Sequence, residues 1–324
     1  MSTKVLLTEM ISPTGVAALE QKAEVVYAPD PSVESALPLV ADVSAIISRN
    51  TVIDERIFAK APKLKAVASH GVGYDHIDIE AATRHGVCVV NTPGANAQSV
   101  AELTIALMLA LGRKMVYADH ALRVRHDFSV RNKCSGQDMR EKTVLIIGMG
   151  AVGRAVAQIC IAGFSMRVLG YSPHVTAEQM TAIGVEKVDD LDLALPLADY
   201  VTIHCPYTED RYHMIHGERL AKMKPSAYLI NCARGKLIDE QALYEALKNG
   251  TIAGAGLDVF DPEPPAADNP LFALENVIVT PHLGYNALDS FNRMSLWSVE
   301  DVLNVIQGDM EKVHLVNKEV LRDA

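Results

Sequence analysis

The sequence predicts an α/β protein with two domains, each built on a doubly wound parallel sheet. Short apolar runs alternate with helix-like segments along almost the whole chain, which is typical of parallel strands joined by crossover helices. The length of 324 residues favours about two domains. The hydrophobic share of 49% is ample for two buried cores. The alternation begins near the N-terminus and starts again at Thr143.

The first alternation supplies the strands of one domain. Its predicted strands are Val5–Leu7, Glu24–Tyr27, Ala45–Ile47, Leu64–Ser69 and Val87–Val90, and its predicted helices are Ser12–Gln21, Asp54–Ala59 and Ile77–His85. The stretch from Ala97 to Lys114 is long, apolar and rich in Ala, Leu and Met, which indicates a buried or interface helix. The polar stretch Arg123–Lys142 has the composition of a surface connection.

The second alternation supplies the other domain. Its predicted strands are Val144–Ile147, Met166–Leu169, Tyr200–Ile203, Tyr228–Asn231, Ala253–Leu257 and Val277–Thr280. The loop Asp261–Pro265 is rich in proline and must be irregular. The last helix, Leu288–Gln307, carries apolar residues at spacings of three and four, namely Leu296, Val299, Leu303 and Ile306, so this face should pack against another unit. We predict a split domain of residues 1–96 and 288–324 and a second domain of residues 97–287.

Composition and charge exclude several classes of protein. The formal charge of −10 argues against a nucleic-acid or anionic-membrane surface, which needs a basic face. No apolar run reaches the roughly 18 residues of a membrane span, and the N-terminus lacks a signal-peptide pattern. The five cysteines are scattered and fit no zinc pattern, so we expect reduced thiols and no metal. A soluble, cytoplasmic protein is the expected class.

The turn after the Val144–Ile147 strand has the spacing Gly-x-Gly-x-x-Gly and leads into helix formers. In a dinucleotide site Gly148 allows the tight turn, Gly150 lets a pyrophosphate approach the backbone, and Gly153 lets helix and strand pack closely. The N–H groups of the helix start, at Ala151 and Val152, would face the phosphates. Three glycines alone are a weak signal, but their place between strand and helix predicts a Rossmann domain that binds NAD or NADP.

The residue that usually distinguishes these two cofactors is missing. An acidic residue about 20 positions after the glycines normally holds the ribose hydroxyls, and its charge repels the extra phosphate of NADP. Ser172 occupies the expected position, and His174 is the nearby candidate cation. The choice between NAD and NADP is therefore open at this point.

Three side chains suit hydride chemistry on a carbonyl. Arg234 follows one strand end, where open sheets bind ligands, and a guanidinium can hold a carboxylate in two places. His282 follows another strand end and can give a proton to a forming alkoxide. Glu263, in the proline-rich loop, could orient that imidazole. Taken singly, each could be an ion pair, a loop residue or a core histidine. Their joint placement favours an active site.

The chain resembles the D-isomer-specific 2-hydroxyacid dehydrogenases, a family of two-domain α/β enzymes whose substrate domain is flavodoxin-like. The resemblance covers nearly the whole chain. The motifs that carry it are His70–Asp75, Asn91–Asn96, Ser99–Glu102, the glycine turn, His204–Pro206, Asn231–Gly235, Asp258–Phe260 with Glu263, and Pro281–His282.

The resemblance implies roles for particular residues. Arg234, Glu263 and His282 would be catalytic, and Val72 and Gly73 would bind the substrate carboxylate through their N–H groups. Besides the glycine turn, Ser172 and His174, the resemblance implies five more cofactor-binding residues, namely Cys205, Pro206, Thr208, Cys232 and Asp258. Asp258 would lie near the nicotinamide. The substrate would be a small 2-keto or 2-hydroxy acid. The resemblance also implies a homodimer formed partly by the long helix after Ala97.

Several alternatives stay open in the sequence. Arg49 lies where the family often places side chains that meet the far end of the substrate. It could serve a phosphate, a sulfonate or a second carboxylate, or form a surface pair. Formate and phosphite dehydrogenases share the fold, but Glu263 and Val72 differ from their usual residues. A dinucleotide-sensing corepressor-like binding protein is the alternative from another class.

Overall fold

The computed structural model describes residues 3–321 and divides into two compact units. Unit 1 comprises the described residues up to Asn96 together with those from Tyr285 onward, and unit 2 is Ala97–Gly284. Residues 285–287, which the sequence analysis placed with the second domain, belong to unit 1. There the Tyr285 hydroxyl accepts a hydrogen bond from Nη2 of Arg49 at 3.2 Å.

Unit 1 is a parallel sheet flanked by helices. In chain order its first elements are β1 (Lys4–Leu7), α1 (Pro13–Glu20), β2 (Glu24–Tyr27), α2 (Val33–Ala36), β3 (Ala45–Ser48), α3 (Glu55–Phe58), β4 (Ala66–Ser69), α4 (Ile79–Arg84) and β5 (Cys88–Val90). The strand order β2-β1-β3-β4-β5, parallel throughout, is that of flavodoxin-like folds. β1, β3, β4 and β5 are apolar and almost wholly buried, as expected of strands covered on both faces.

Unit 2 is a larger parallel sheet. Its helices are α5 (Ala97–Gly112), α6 (Met115–Arg125), α7 (Ala151–Phe164), α8 (Ala177–Thr181), α9 (Leu191–Ala194), α10 (Gly217–Lys222) and α11 (Glu240–Lys248). Its strands are β6 (Thr143–Ile147), β7 (Arg167–Tyr171), β8 (Glu186–Val188), β9 (Tyr200–Ile203), β10 (Tyr228–Asn231), β11 (Gly254–Leu257) and β12 (Val277–Val279). The order β12-β11-β10-β9-β6-β7-β8 is the Rossmann order with one further strand. The predicted fold class is confirmed.

The chain returns to unit 1 as α12 (Leu288–Gln307), with the bounds that the sequence predicted. Val299 and Leu303 are buried as expected, but the prediction for Leu296 is wrong because its side chain is 37% exposed. Small polar residues occupy the buried face instead. A Cβ built on Gly15 of α1 would lie 2.7 Å from Cβ of Ser295, so the two helices approach closely through small side chains.

Two elements of unit 2 escaped the sequence analysis. The stretch Arg123–Lys142 was predicted to be a surface connection, but its first residues complete α6. The short strand β8 was also missed, because Glu186 and Lys187 make its composition polar. The loop Asp261–Pro265 is irregular, as predicted. Within residues 3–321 no helix is long and apolar enough to cross a membrane.

Candidate active site

The glycine turn after β6 has the geometry that each of its glycines predicts. Gly148 has φ of +102°, and a Cβ there would lie 2.6 Å from the backbone N of Cys205. A Cβ on Gly153 would lie 2.0 Å from the carbonyl oxygen of Gly148. A Cβ on Gly150 would meet nothing within 4 Å, so the backbone faces open space. Glycine is therefore required for packing at Gly148 and Gly153, while the opening at Gly150 leaves room for a phosphate.

Helix α7 begins at this opening. Gly150 is its N-cap and offers no side-chain hydrogen bond, so the first N–H groups of the helix, at Ala151 and Val152, are those that a bound anion can satisfy. The remaining predicted cofactor residues follow strand ends of the same parallel sheet. Ser172 and His174 follow β7, the segment Cys205–Thr208 follows β9, Cys232 follows β10, and Asp258 follows β11. These residues therefore share the carboxyl edge with the glycine turn, and they fit a dinucleotide.

His282 and Glu263 are in contact. Nδ1 of His282 lies 2.9 Å from Oε2 of Glu263, and the backbone N–H of Phe260 donates to Oε1 of Glu263 at 3.0 Å. Burial raises the pKa of Glu263, but the hydrogen bond and charge of His282, the Phe260 N–H and the charge of Arg234 together lower it below the ordinary 4.5. The carboxylate is therefore ionised at neutral pH.

Arg234 is brought to the same place by the close contact of two loops. A Cβ on Gly235 would lie 2.0 Å from the carbonyl carbon of Phe260, so only glycine permits this approach. Asn231, the last residue of β10, holds the Arg234 loop, since its Nδ2 donates to the Arg234 carbonyl at 2.9 Å and its Oδ1 accepts from Ala233 N at 3.0 Å. The three residues predicted to be catalytic lie in one unit and interact.

The backbone of His282 is held by Asp258. His282 has φ of +54°, a left-handed conformation that is uncommon for residues other than glycine. Its N–H donates to the Asp258 carbonyl at 2.8 Å. The Asp258 carboxylate, 1% exposed, accepts from Thr280 Oγ1 at 2.6 Å, Leu283 N at 2.7 Å and Gly284 N at 2.8 Å. Asp258 therefore fixes the loop that carries the imidazole.

Unit 1 carries the predicted substrate-binding backbone after β4. The carbonyls of Gly71, Val72 and Gly73 accept from Thr92 N at 2.9 Å, Asn91 Nδ2 at 2.7 Å and Ser69 Oγ at 2.6 Å. In a trans peptide the N–H points away from the preceding carbonyl. The N–H groups of Val72 and Gly73 therefore point away from Thr92 and Asn91, as a backbone anion site requires.

Arg49 follows β3, the strand beside β4. Its guanidinium donates to the Met10 carbonyl at 3.3 Å and to the Tyr285 hydroxyl at 3.2 Å, and it lies 5.1 Å from the ring centroid of Phe291. These partners are neutral, so they do not offset the positive charge that Arg49 places at the carboxyl edge of the sheet. Among residues 3–321 no group of three or more His, Cys, Asp and Glu is placed to hold a metal ion.

A comparison with known families decides the membership of the chain. Residues 105–284 match the family profile described as D-isomer specific 2-hydroxyacid dehydrogenase, NAD binding domain. The chain belongs to this family.

Relatives and solved structures agree with this 2-hydroxyacid dehydrogenase membership. The chain is 40% identical to a D-3-phosphoglycerate dehydrogenase of Methanocaldococcus jannaschii over 95% of its length, but it spans only 58% of that protein. It is 39% identical to a glyoxylate reductase of Korarchaeum cryptofilum, covering 99% of this chain and 98% of the relative. The crystal structure of an Aquifex aeolicus D-lactate dehydrogenase with NAD and lactic acid superposes with a TM-score of 0.85 at 30% identity, covering 97% and 99% of the two chains.

Sequence reasoning missed several residues that shape this candidate site. Asp258 was predicted only to lie near the nicotinamide, and its hold on the His282 loop was not foreseen; the structure shows that its carboxylate organises this loop. Asn231 and Gly235 were seen only as parts of a motif, although they set the Arg234 loop. Glu9, which binds the Arg49 loop, was not noticed. Its position two residues after β1 marks it as close to the carboxyl edge of the sheet but does not indicate which loop it binds.

Proposed function

We propose that the protein is an NAD(P)-dependent D-2-hydroxyacid dehydrogenase that interconverts a 2-keto acid and the corresponding D-2-hydroxy acid. The observation that carries the proposal is the contact of His282 with Glu263, next to the Arg234 loop, at the sheet edge that also holds the glycine turn. This set combines an acid–base group, its carboxylate partner and a cation at one end of a dinucleotide fold.

The proton is handled by one identified nitrogen. Because Nδ1 of His282 faces Glu263, Nε2 is the atom that can give a proton to the forming alkoxide or take one from the hydroxyl. The ionised Glu263 stabilises the imidazolium and holds the ring orientation. The nicotinamide, when bound, supplies or accepts the hydride.

The substrate carboxylate needs donors and positive charge. In unit 1 we assign carboxylate binding to the N–H groups of Val72 and Gly73. In unit 2 we assign to the guanidinium of Arg234 the positive charge that can polarise the reacting carbonyl. Binding the carboxylate in this way orients the 2-keto carbon for reaction.

The surroundings of Arg49 support the proposal that the substrate carries a second anionic group, such as a phosphate, a sulfonate or a carboxylate. Its guanidinium is held by neutral partners and is stacked on Phe291, so it offers an ordered positive charge rather than a neutralised ion pair. Charge-assisted hydrogen bonds to such a group would be among the strongest available at the site.

For the cofactor we propose that discrimination between NAD and NADP is weak. Ser172 presents a hydroxyl where a carboxylate would repel the extra phosphate, and His174 follows two residues later. Ser172 directly follows Tyr171, the last residue of β7. Tyr171 pairs with Val188, the last residue of β8, so Ser172 and Asp189 are the first residues after two neighbouring strands. Its carboxylate lies 3.1 Å from Nζ of Lys187, which partly neutralises it.

A homodimer is also part of the proposal. Helix α6 and the 3-10 helix Phe128–Asn132 carry several large apolar side chains that are half exposed or more, namely Met115, Val116, Leu122, Val124 and Phe128. Large apolar side chains exposed at this frequency along one segment are typical of an association site. A second copy of the chain is the occupant that we propose. Cytoplasmic location stays a prediction from the sequence.

The function is tested by turnover. The purified protein would be assayed with hydroxypyruvate, glyoxylate, phosphohydroxypyruvate and sulfopyruvate, each with NADH and NADPH, while His282→Ala is assayed in parallel. We expect reduction of at least one acid by the wild type, and loss of turnover with retained cofactor binding in the variant. A protein that binds cofactor but turns over none of the acids, or a fully active His282→Ala, would overturn the proposal.

A further inference from the structure

The carboxylate of Glu9, two residues after β1, binds the backbone of the loop that carries Arg49. Its Oε1 accepts from the N–H of Asn50 at 2.7 Å and from that of Thr51 at 3.2 Å. Its Oε2 accepts from the N–H of Arg49 at 3.0 Å and from the Thr8 hydroxyl. Three successive N–H groups directed at one anion form a backbone nest, and here the anion is a side chain of the protein itself.

These N–H groups lie just beyond the point where β3 stops pairing with β4. The last residue of β3 that pairs with β4 is Ser48, opposite Ser69, and the Ser48 carbonyl accepts from His70 N at 2.8 Å. Beyond Ser48 the loop is held by side chains. Ser48 Oγ donates to the Thr51 carbonyl at 2.9 Å, and Glu9 takes the N–H groups. The conformation of residues 49–51 therefore depends strongly on the Glu9 carboxylate.

This arrangement gives the Glu9 carboxylate and the Arg49 guanidinium different hydrogen-bond partners. Both oxygens of Glu9 accept from N–H groups of the loop backbone, and the Arg49 guanidinium donates to Met10 and Tyr285, which are neutral acceptors. The positive charge also acts on its surroundings. Burial and then the charge of Arg49 lower the pKa of His70 to about 4, against the smaller opposing effect of Glu9.

We propose that Glu9 is a positioning residue that fixes the Arg49 loop, so that the guanidinium can bind a second anionic group at the far end of the substrate. The proposal rests on the dehydrogenase function proposed above. A glutamate is suited to this task because it only accepts hydrogen bonds, whereas a glutamine would turn an NH₂ group toward one pair of donors. The loss of one such partner leaves donors unpaired and loosens the loop.

The test compares Glu9→Gln with Glu20→Gln, an exposed position at the end of α1. We expect Glu9→Gln to raise the KM for phosphohydroxypyruvate about tenfold or more, with kcat changed less than about twofold. The KM for glyoxylate, which has no group at its far end, should not change. Arg49→Ala should raise the KM for phosphohydroxypyruvate at least as much, and the double variant should be no worse than Arg49→Ala alone. Glu20→Gln should resemble the wild type.

Hydrogen exchange provides a readout that does not depend on activity. The amides of residues 49–51 should exchange faster in Glu9→Gln than in the wild type, while the amides of β3 stay protected. Unchanged exchange, or an equal rise in KM for glyoxylate and phosphohydroxypyruvate, would overturn the role of Glu9 while leaving the dehydrogenase function intact. Failure of the wild type to reduce any 2-keto acid would overturn both.

Discussion

Nδ1 of His282 lies 2.9 Å from Oε2 of Glu263, although the two residues belong to separate loops that follow different strands. The contact sets which ring nitrogen faces the carboxylate. Because burial opposes an ionised carboxylate, the lowered pKa of Glu263 shows that its partners outweigh desolvation.

Glu263→Gln should slow the reaction. The amide keeps the size of the side chain but removes the negative charge that lies against the His282 imidazole. We expect kcat for keto-acid reduction to fall by about 10²-fold. Steady-state kinetics would measure the change, with the exposed Glu245→Gln as the control. A wild-type kcat in Glu263→Gln would contradict this role.

Ser172→Asp should make the enzyme selective for NAD. A carboxylate after β7 would repel the extra phosphate of NADP, so we expect the KM for NADPH to rise about tenfold or more. The KM for NADH should stay the same or fall. Ser226→Asp adds the same charge before β10, at the amino edge of the sheet, and should affect neither cofactor. Equal effects on both cofactors would argue against this position as the discriminating one.

Local sequence patterns predicted the features that depend on neighbours in the chain. The glycine turn was identified from a strand, a spacing and a helix, and α12 was given its observed bounds from an apolar repeat. The approach of Glu263 to His282 was proposed only because the residue types suit each other. The structure adds the contacts that position the two residues: Phe260 N–H donates to Oε1 of Glu263, and the Asp258 carbonyl accepts from His282 N–H.

The features that the sequence did not predict depend on distant partners. Glu9 and Asn50 are 41 residues apart, so nothing local marks Glu9 as the acceptor of the loop. Asp258 and Gly284 are 26 residues apart, and a buried aspartate after a strand can serve a ligand or a loop equally well. Only the last three residues of helix α6, Arg123–Arg125, fell within the stretch predicted to be a surface connection, because two of them are arginines.

Asp258→Asn should destabilise the protein and impair catalysis together. The carboxylate accepts from two N–H groups and one hydroxyl, and an asparagine must turn its NH₂ group toward at least one of these donors. We expect a loss of about 2–3 kcal/mol in the free energy of unfolding and a lower kcat, because the His282 loop loses its anchor. Thr280→Val removes a single donor and should cost about 1 kcal/mol. Chemical denaturation with kinetics would check both, and wild-type stability in Asp258→Asn would refute the anchoring role.

His70 should make stability depend on pH. Burial and the charge of Arg49 lower its pKa from 6.5 to about 4, so between these values the unfolded chain binds a proton that the folded protein does not. Stability is therefore lost as the pH falls from 6.5 toward 4, by about 3 kcal/mol for this group. Burial lowers the pKa of His204 to about 3, so this residue also contributes to the loss of stability as the pH falls.

The variant His70→Gln keeps a donor for the Ser295 hydroxyl, which lies 2.8 Å from Nε2 of the imidazole. We expect its free energy of unfolding to fall less steeply between pH 7 and 5 than that of the wild type. Denaturation at several pH values measures the slope, and His126→Gln, an exposed position, should leave the slope unchanged. Parallel slopes for wild type and His70→Gln would show that His70 does not titrate in this way.

The exposed apolar side chains of α6 and the following 3-10 helix should lie in the contact between two copies of the chain. Phe128 is 67% exposed and Val124 is 63% exposed, so their replacement costs little packing within the chain. We expect the double variant Val124→Asp, Phe128→Asp to be a folded monomer. At a self-complementary interface both copies would bring their new carboxylates into the contact, and the like charges would oppose association. Light scattering after size exclusion would give the mass. Leu193→Asp, 73% exposed on α9, removes an apolar surface residue elsewhere and should stay dimeric. A monomeric wild type, or a double variant that remains dimeric, would contradict this assignment.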